Sequence, residues 1–93
     1  MVWLRRAIND RDSQLDYIAH DNPRAAIEQG DRIELQVNQL QQNPEMGRPG
    51  RKKSTRELVI SRTSFIVVYR IKSQRIELLR LLHSSQQWPP KKH

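Results

Sequence analysis

The sequence predicts an α+β domain of order β-α-α-β-β-β, in which a helical hairpin covers one side of a mainly antiparallel sheet. Three observations carry that prediction. Arg56 to Arg62, Phe65 to Ile71 and Arg75 to Leu82 are runs of strand length, rich in Val, Ile, Leu, Phe and Tyr. The connections between them, Thr63-Ser64 and Lys72-Ser73-Gln74, are too short for a parallel crossover, so neighbouring strands must run antiparallel. Ahead of them, two helix-compatible segments meet at Asp21-Asn22-Pro23, a join whose length makes an antiparallel pair with one shared apolar face.

Taken in order, Val2 to Leu4 reads as a short edge strand. Ala7 to His20 has helical composition with a thin apolar stripe (Ala7, Ile8, Leu15, Ile18, Ala19), interrupted by Arg11 and Gln14. Asn22 is placed to cap the next helix through its side-chain oxygen, and Pro23 fits the first helical position, where it has no N–H to lose. The second helix is expected from Arg24 to Gln42. Ala26, Gly30, Ile33, Val37 and Leu40 alternate by four and three and so share a face. A glycine there costs about 1 kcal/mol relative to alanine, which points to close approach of a neighbouring element. Asn43-Pro44 ends the helix.

Length and composition bound the rest. The chain has 93 residues, 35% of them hydrophobic, and its mean hydropathy is -0.85, so one domain with a single core is expected over 1–93, with 90–93 as a basic tail. The longest apolar run, Phe65 to Tyr69, is far short of the roughly 20 residues a membrane span needs. Met1-Val2-Trp3-Leu4 meets Arg5-Arg6 at once, so no secretory leader and no membrane association are expected, which fits a cytoplasmic protein. There is no cysteine, and His20 and His83 stand apart from any second histidine at ligand spacing, so neither a metal site nor a cofactor is predicted. His93, after Lys91-Lys92, has the look of the start of an expression tag.

The net charge of +7 is unevenly divided. Residues 1 to 46 hold five arginines against eight acids (5 - 8 = -3), and residues 47 to 93 hold twelve Lys/Arg against Glu57 and Glu77 (12 - 2 = +10). A field concentrated on the sheet half attracts an anionic partner, whereas a merely solubilising surface mixes both signs. The densest charge is in Met46 to Ser54, where Arg48, Arg51, Lys52 and Lys53 fall within six positions. Two glycines and a proline predict an irregular loop there. It is either a solvated turn or a loop whose backbone amides approach an anion; the string lacks P-loop spacing, so no nucleotide site is expected.

Several strings then become recognisable together: Tyr17-Ile18, Asp21-Asn22-Pro23 with Ala25-Ala26, Gly47-Arg48-Pro49-Gly50-Arg51, Thr55-Arg56-Glu57-Leu58-Val59, Ile66-Val67-Val68-Tyr69-Arg70, Leu82-His83 and Gln86-Gln87-Trp88-Pro89. In this order and spacing the chain resembles the RelE/ParE superfamily of type II toxin-antitoxin toxins over essentially its whole length. It departs from the family pattern in the first helix, at Arg11 and Gln14. The resemblance implies a small basic toxin that arrests growth and serves plasmid maintenance, neutralised by a cognate antitoxin through which alone it meets operator DNA. Members act in one of two ways: ribosome-dependent mRNA cleavage (RelE-type) or inhibition of DNA gyrase without nuclease activity (ParE-type).

Cleavage through the ribose 2′-OH needs a base, an acid and cations for the phosphorane. Arg56 and Arg62 are separated by an even number, which would put both on one face of the first meander strand. Arg62 occupies the position where RelE-like sequences carry a catalytic arginine. His83 closes the last strand, and imidazole is the side chain that titrates near neutral pH. Its plainer reading is a hydrogen bond to backbone or carboxylate that fixes the tail. Tyr69 reads as a half-buried strand aromatic and Glu57 as the partner of a nearby cation. The tail Ser84-Ser85-Gln86-Gln87-Trp88 lacks the basic run and tyrosine of RelE-type nucleases, and the resemblance favours the ParE branch. The expectation is thus a gyrase inhibitor with no catalytic residues and a target-binding surface of Arg48, Arg51, Lys52, Lys53, Arg56 and Trp88. Trp88 itself reads as a lid over the sheet in preference to an exposed recognition aromatic. The alternative is a ribosome-dependent mRNA endonuclease using Arg56, Arg62 and His83, and a second alternative is a non-enzymatic nucleic-acid-binding module.

Overall fold

The computed structural model describes residues 1–90; Lys91-Lys92 and His93, read above as a basic end and a tag, lie outside the described residues. The chain runs β1 (Val2–Trp3), α1 (Arg5–Asp21), α2 (Pro23–Asn38), a 3-10 turn (Gln39–Gln41), β2 (Arg48–Pro49), β3 (Arg56–Val59), β4 (Phe65–Lys72) and β5 (Arg75–His83). The strands form one sheet of order β1-β5-β4-β3-β2, antiparallel except for the parallel β1–β5 pair. The predicted α+β architecture is the observed one.

The helical hairpin forms where its local chemistry placed it. Asn22 Oδ1 accepts from the Ala25 amide at 3.1 Å, and Pro23 opens α2. Ile33, Val37 and Leu40 are buried in one core with the sheet, and Ala26 on the same face of α2 is buried as well. A Cβ on Gly30 would stand 3.3 Å from Leu15 Cδ1, so the glycine lets the two helices approach. Where Arg11 interrupts the stripe of α1, its guanidinium stacks on the ring of Trp3 at 4.6 Å. The last turn expected of α2 tightens instead into the 3-10 turn, which places Leu40 at 0% exposure.

Side chains alternate across the strands, and the register divides them between two faces. Leu58, Val67, Tyr69, Ile76, Leu78 and Leu81 form the core with the helices. Glu57, Val68, Arg70 and Glu77 point to the other face. A β-bulge at Leu79 shifts the parity of β5, because Tyr69 pairs with Leu78 whereas Val68 pairs with Arg80. The bulge is why Leu78 and Leu81, an odd number of residues apart, both reach the core.

Three sequence expectations are corrected. Arg48–Pro49 is not irregular loop: it pairs with Glu57 and Arg56 as an edge strand, where a proline costs the ladder nothing. The first meander strand ends at Val59, not Arg62. Arg62 sits in the following turn at φ 63, so it shares no strand face with Arg56. Tyr69 is fully buried, not half-buried: its hydroxyl donates to Pro44 O at 2.7 Å and accepts from the Gly47 amide at 2.9 Å. That last contact explains the first glycine of the basic string, since a Cβ on Gly47 would lie 2.7 Å from the Tyr69 ring.

Candidate functional site

On the sheet face away from the helices, the organising group is a carboxylate. Glu57 projects there from β3 and is 1% exposed. Burial alone would favour its neutral form, but three donors overcome that: the Arg51 amide at 2.8 Å, the Arg51 guanidinium at 3.2 Å and the Arg48 guanidinium at 3.2 Å. The net result holds its carboxyl below the ordinary value of 4.5. The basic loop does cradle an anion with a backbone amide, and the anion is the protein's own side chain.

A similar link fastens the far side of this face. Glu77 accepts from Arg70 at 2.7 Å and from Arg75 at 3.1 Å, and these hydrogen bonds lower its pKa. Asp10 of α1 accepts from Arg80 Nε at 2.6 Å and from the Leu81 amide at 3.0 Å, closing the edge of β5 that β1 leaves open. With their outward arginines so held, β4 and β5 form the floor of a cleft of about 440 Å³. Arg5 and Arg6 line one side, Lys52 to Thr55 another, and Leu4, Leu79 and Trp88 supply apolar surface.

Trp88 arrives on a short tail anchored at the end of β5. The Ser84 amide donates to Ser64 O at 2.6 Å, and the His83 ring Nδ1 lies 2.7 Å from Ser85 Oγ. His83 also meets Phe65 edge-on at 6.1 Å. The same Nδ1 accepts from the Ser85 backbone amide at 3.2 Å, so His83 fixes the tail through the backbone, as the sequence suggested, and through the serine hydroxyl as well. The Trp88 ring carries Arg80 at 5.3 Å and Lys52 at 5.8 Å, and its indole Nε1 is buried without an acceptor among the described residues.

Of the six residues read as a target surface, Lys52, Lys53 and Trp88 line the cleft. Arg48 and Arg51 stand beside it, tied to Glu57. Arg56 faces elsewhere: its Nε donates to Gly47 O and its Nη2 to Glu45 O, both at 3.0 Å, clamping the chain ahead of β2. The nuclease candidates are not brought together. Arg56 pairs with Tyr69 and His83 with Phe65, positions roughly 13 Å apart along β4. Arg62, near the His83 end, gives its carbonyl to Arg32 at 3.4 Å. Sequence reasoning missed Arg5, Arg6, Arg70 and Arg80 as neighbours of the basic loop. The only signal available was the Arg5-Arg6 pair itself, which stands in the acidic half of the chain.

The sequence pattern and the fold both occur in known proteins. Residues 1–88 match the family model described as the ParE toxin of the type II toxin-antitoxin system, parDE. The curated "Putative toxin Y4kP" of Sinorhizobium fredii (strain NBRC 101917 / NGR234) is 45% identical over 87 residues, covering 94% of this chain and 90% of that protein. Among solved structures, a chain of the chromosomal ParDE TA system from P. aeruginosa superposes with a TM-score of 0.80 at 32% identity, over 87% of this chain and 90% of that one. With nearly the whole length matched at the level of family model, sequence and fold, the chain belongs to the ParE family of type II toxin-antitoxin toxins.

Proposed function

We propose that this toxin acts by inhibiting DNA gyrase and that the working surface is the cationic side of the sheet, with Lys52, Lys53 and Trp88 at its centre and Arg48 and Arg51 setting the loop's shape through Glu57. Arg56 contributes by holding the segment from which that loop departs. The observation that carries the reading is the dispersal of the side chains a ribonuclease would need: Arg56 and His83 stand at opposite ends of β4, each occupied by local hydrogen bonds. Acid–base cleavage demands groups within hydrogen-bond reach of one reacting phosphate, whereas inhibition by docking demands only a charged, shaped surface. The family partner is a cognate antitoxin, and its association with the basic half is expected to slow as salt rises.

The decisive experiment measures DNA supercoiling by purified gyrase with and without the toxin, beside a ribosome-bound mRNA cleavage assay. Loss of supercoiling with intact message is expected. Message cut at the ribosomal A site, with supercoiling unaffected, would replace this reading by the nuclease one. An Arg62→Ala/His83→Ala double variant that stays fully toxic in cells would remove the nuclease reading independently.

A further inference from the structure

We infer that the cleft between the start of α1 and the 52–55 loop receives an acidic peptide segment of the toxin's target, with carboxylates flanking an apolar side chain. Only the source of that segment rests on the function proposed above; the chemistry of the cleft stands by itself. Its two cationic sides differ from the arginines that border them. Arg80 is paired with Asp10, Arg70 shares Glu77 with Arg75, and Arg48 and Arg51 share Glu57. Arg5, Arg6, Lys52 and Lys53 have no acidic partner among the described residues, and all four are exposed along one cleft. Four like charges gathered there repel one another until an anion enters. The helix adds to the field: α1 begins at Arg5 with no acidic residue in its first turn and no side-chain cap from Leu4.

Between the cations the walls are apolar, formed by Leu4, Leu79 and Trp88. This composition selects a peptide over a nucleic acid. Single-stranded nucleic acid is held by free aromatic faces on which bases stack and by a groove that follows many phosphates. Here Trp88, the cleft's aromatic residue, already carries Arg80 and Lys52 against its ring, and the remaining apolar surface is aliphatic. A cleft of about 440 Å³ is of the size that encloses a few residues, not a long backbone. The indole N–H without an acceptor would gain one from a carbonyl or carboxylate oxygen as the ring shifts to admit the segment.

The test uses the full chain carrying Trp3→Phe, which leaves Trp88 as the sole tryptophan reporter. Its emission is followed while titrating a capped Glu-Leu-Glu-Leu-Glu peptide, a single-stranded oligo-dT of equal charge, and inorganic phosphate. Saturable binding of the peptide at least tenfold tighter than of the oligonucleotide is expected, weakening as salt rises. An added Arg5→Ala/Arg6→Ala pair should weaken it about tenfold, whereas Arg24→Ala/Lys72→Ala, with the same charge loss elsewhere, should leave it unchanged. Tighter binding of the oligonucleotide, binding of phosphate alone, or indifference to the Arg5/Arg6 pair would overturn the proposal. The same variants are then assayed against gyrase, with circular dichroism verifying the fold. Peptide binding without any inhibition by the unmutated toxin sinks the gyrase reading and keeps the cleft. Inhibition that survives Arg5→Ala/Arg6→Ala undiminished removes the target as the segment's source.

Discussion

The two faces of this sheet are held by different physics. Against the helices, Leu58, Val67, Leu78 and Leu81 pack with Ile33, Val37 and Leu40 in a dry layer where dispersion and apolar burial dominate. Across the same strands, Glu57 and Glu77 each gather two arginines, Asp10 holds one, and one tryptophan on a tail supplies part of the cover. The first arrangement resists change in volume. The second resists change in charge, and its exchange of partners is easier because most of its cations remain partly in water.

Substitutions that separate the two faces test this contrast. The largest effect is expected from Leu78→Ala, which removes a fully buried side chain from the helix-covered layer. A loss of about 3 kcal/mol in urea unfolding is expected, as for other buried leucines. A loss under about 1 kcal/mol would mean that the layer is not the main source of stability. Next comes Glu57→Gln, costing about 2 kcal/mol at neutral pH because it removes the charge that three donors converge on.

That second effect carries a pH signature. The folded carboxyl titrates below its ordinary 4.5, so its stabilisation is fully present above that value and is lost as pH falls through the folded pKa. The gap between wild type and Glu57→Gln should therefore narrow steadily below about pH 4.5, while the Leu78→Ala gap persists. A Glu57→Gln gap that is constant from pH 7 to pH 3 would show that packing, not charge, is what Glu57 contributes.

A smaller loss is expected from Tyr69→Phe, about 1 kcal/mol, since the ring stays packed while Pro44 O loses its donor and the Gly47 amide its acceptor. Hydrogen exchange should quicken at Gly47 before elsewhere; unchanged protection there would mean that the basic segment is held by Arg56 alone. The smallest stability change should follow Trp88→Ala, under about 1 kcal/mol, because the ring is only partly buried and its N–H is unpaired. Its effect on target inhibition should exceed its effect on the unfolding midpoint. The reverse ranking would make the tail a second core.

Much of the fold was legible because its signals are local. Asn22-Pro23 marks a cap through atoms three residues apart, and the Ser73-Gln74 turn follows from the shortness of the connection. Glu57 as a partner of nearby cations was likewise readable, since Arg48 and Arg51 lie within nine residues of it. The candidate site was harder. A single extra residue at Leu79 reverses the facing of everything after it in β5, and no composition or period announces a bulge. Arg62 illustrates the opposite failure: even spacing from Arg56 suggested a shared face, but the strand stopped three residues earlier in a turn with positive φ.

From its residues alone this chain is committed to a capped helical hairpin, a three-strand meander and a basic second half, because each is written in neighbours that meet within a few positions. Tertiary structure decided which cations stay free. Asp10 reaches Arg80 across 70 residues, and the loop arginines turn inward to Glu57, which leaves Arg5 and Arg6 from the acidic half facing Lys52 and Lys53 from the basic half. Charge in a sequence is a sum, whereas the field a partner meets depends on distances that only the folded chain sets.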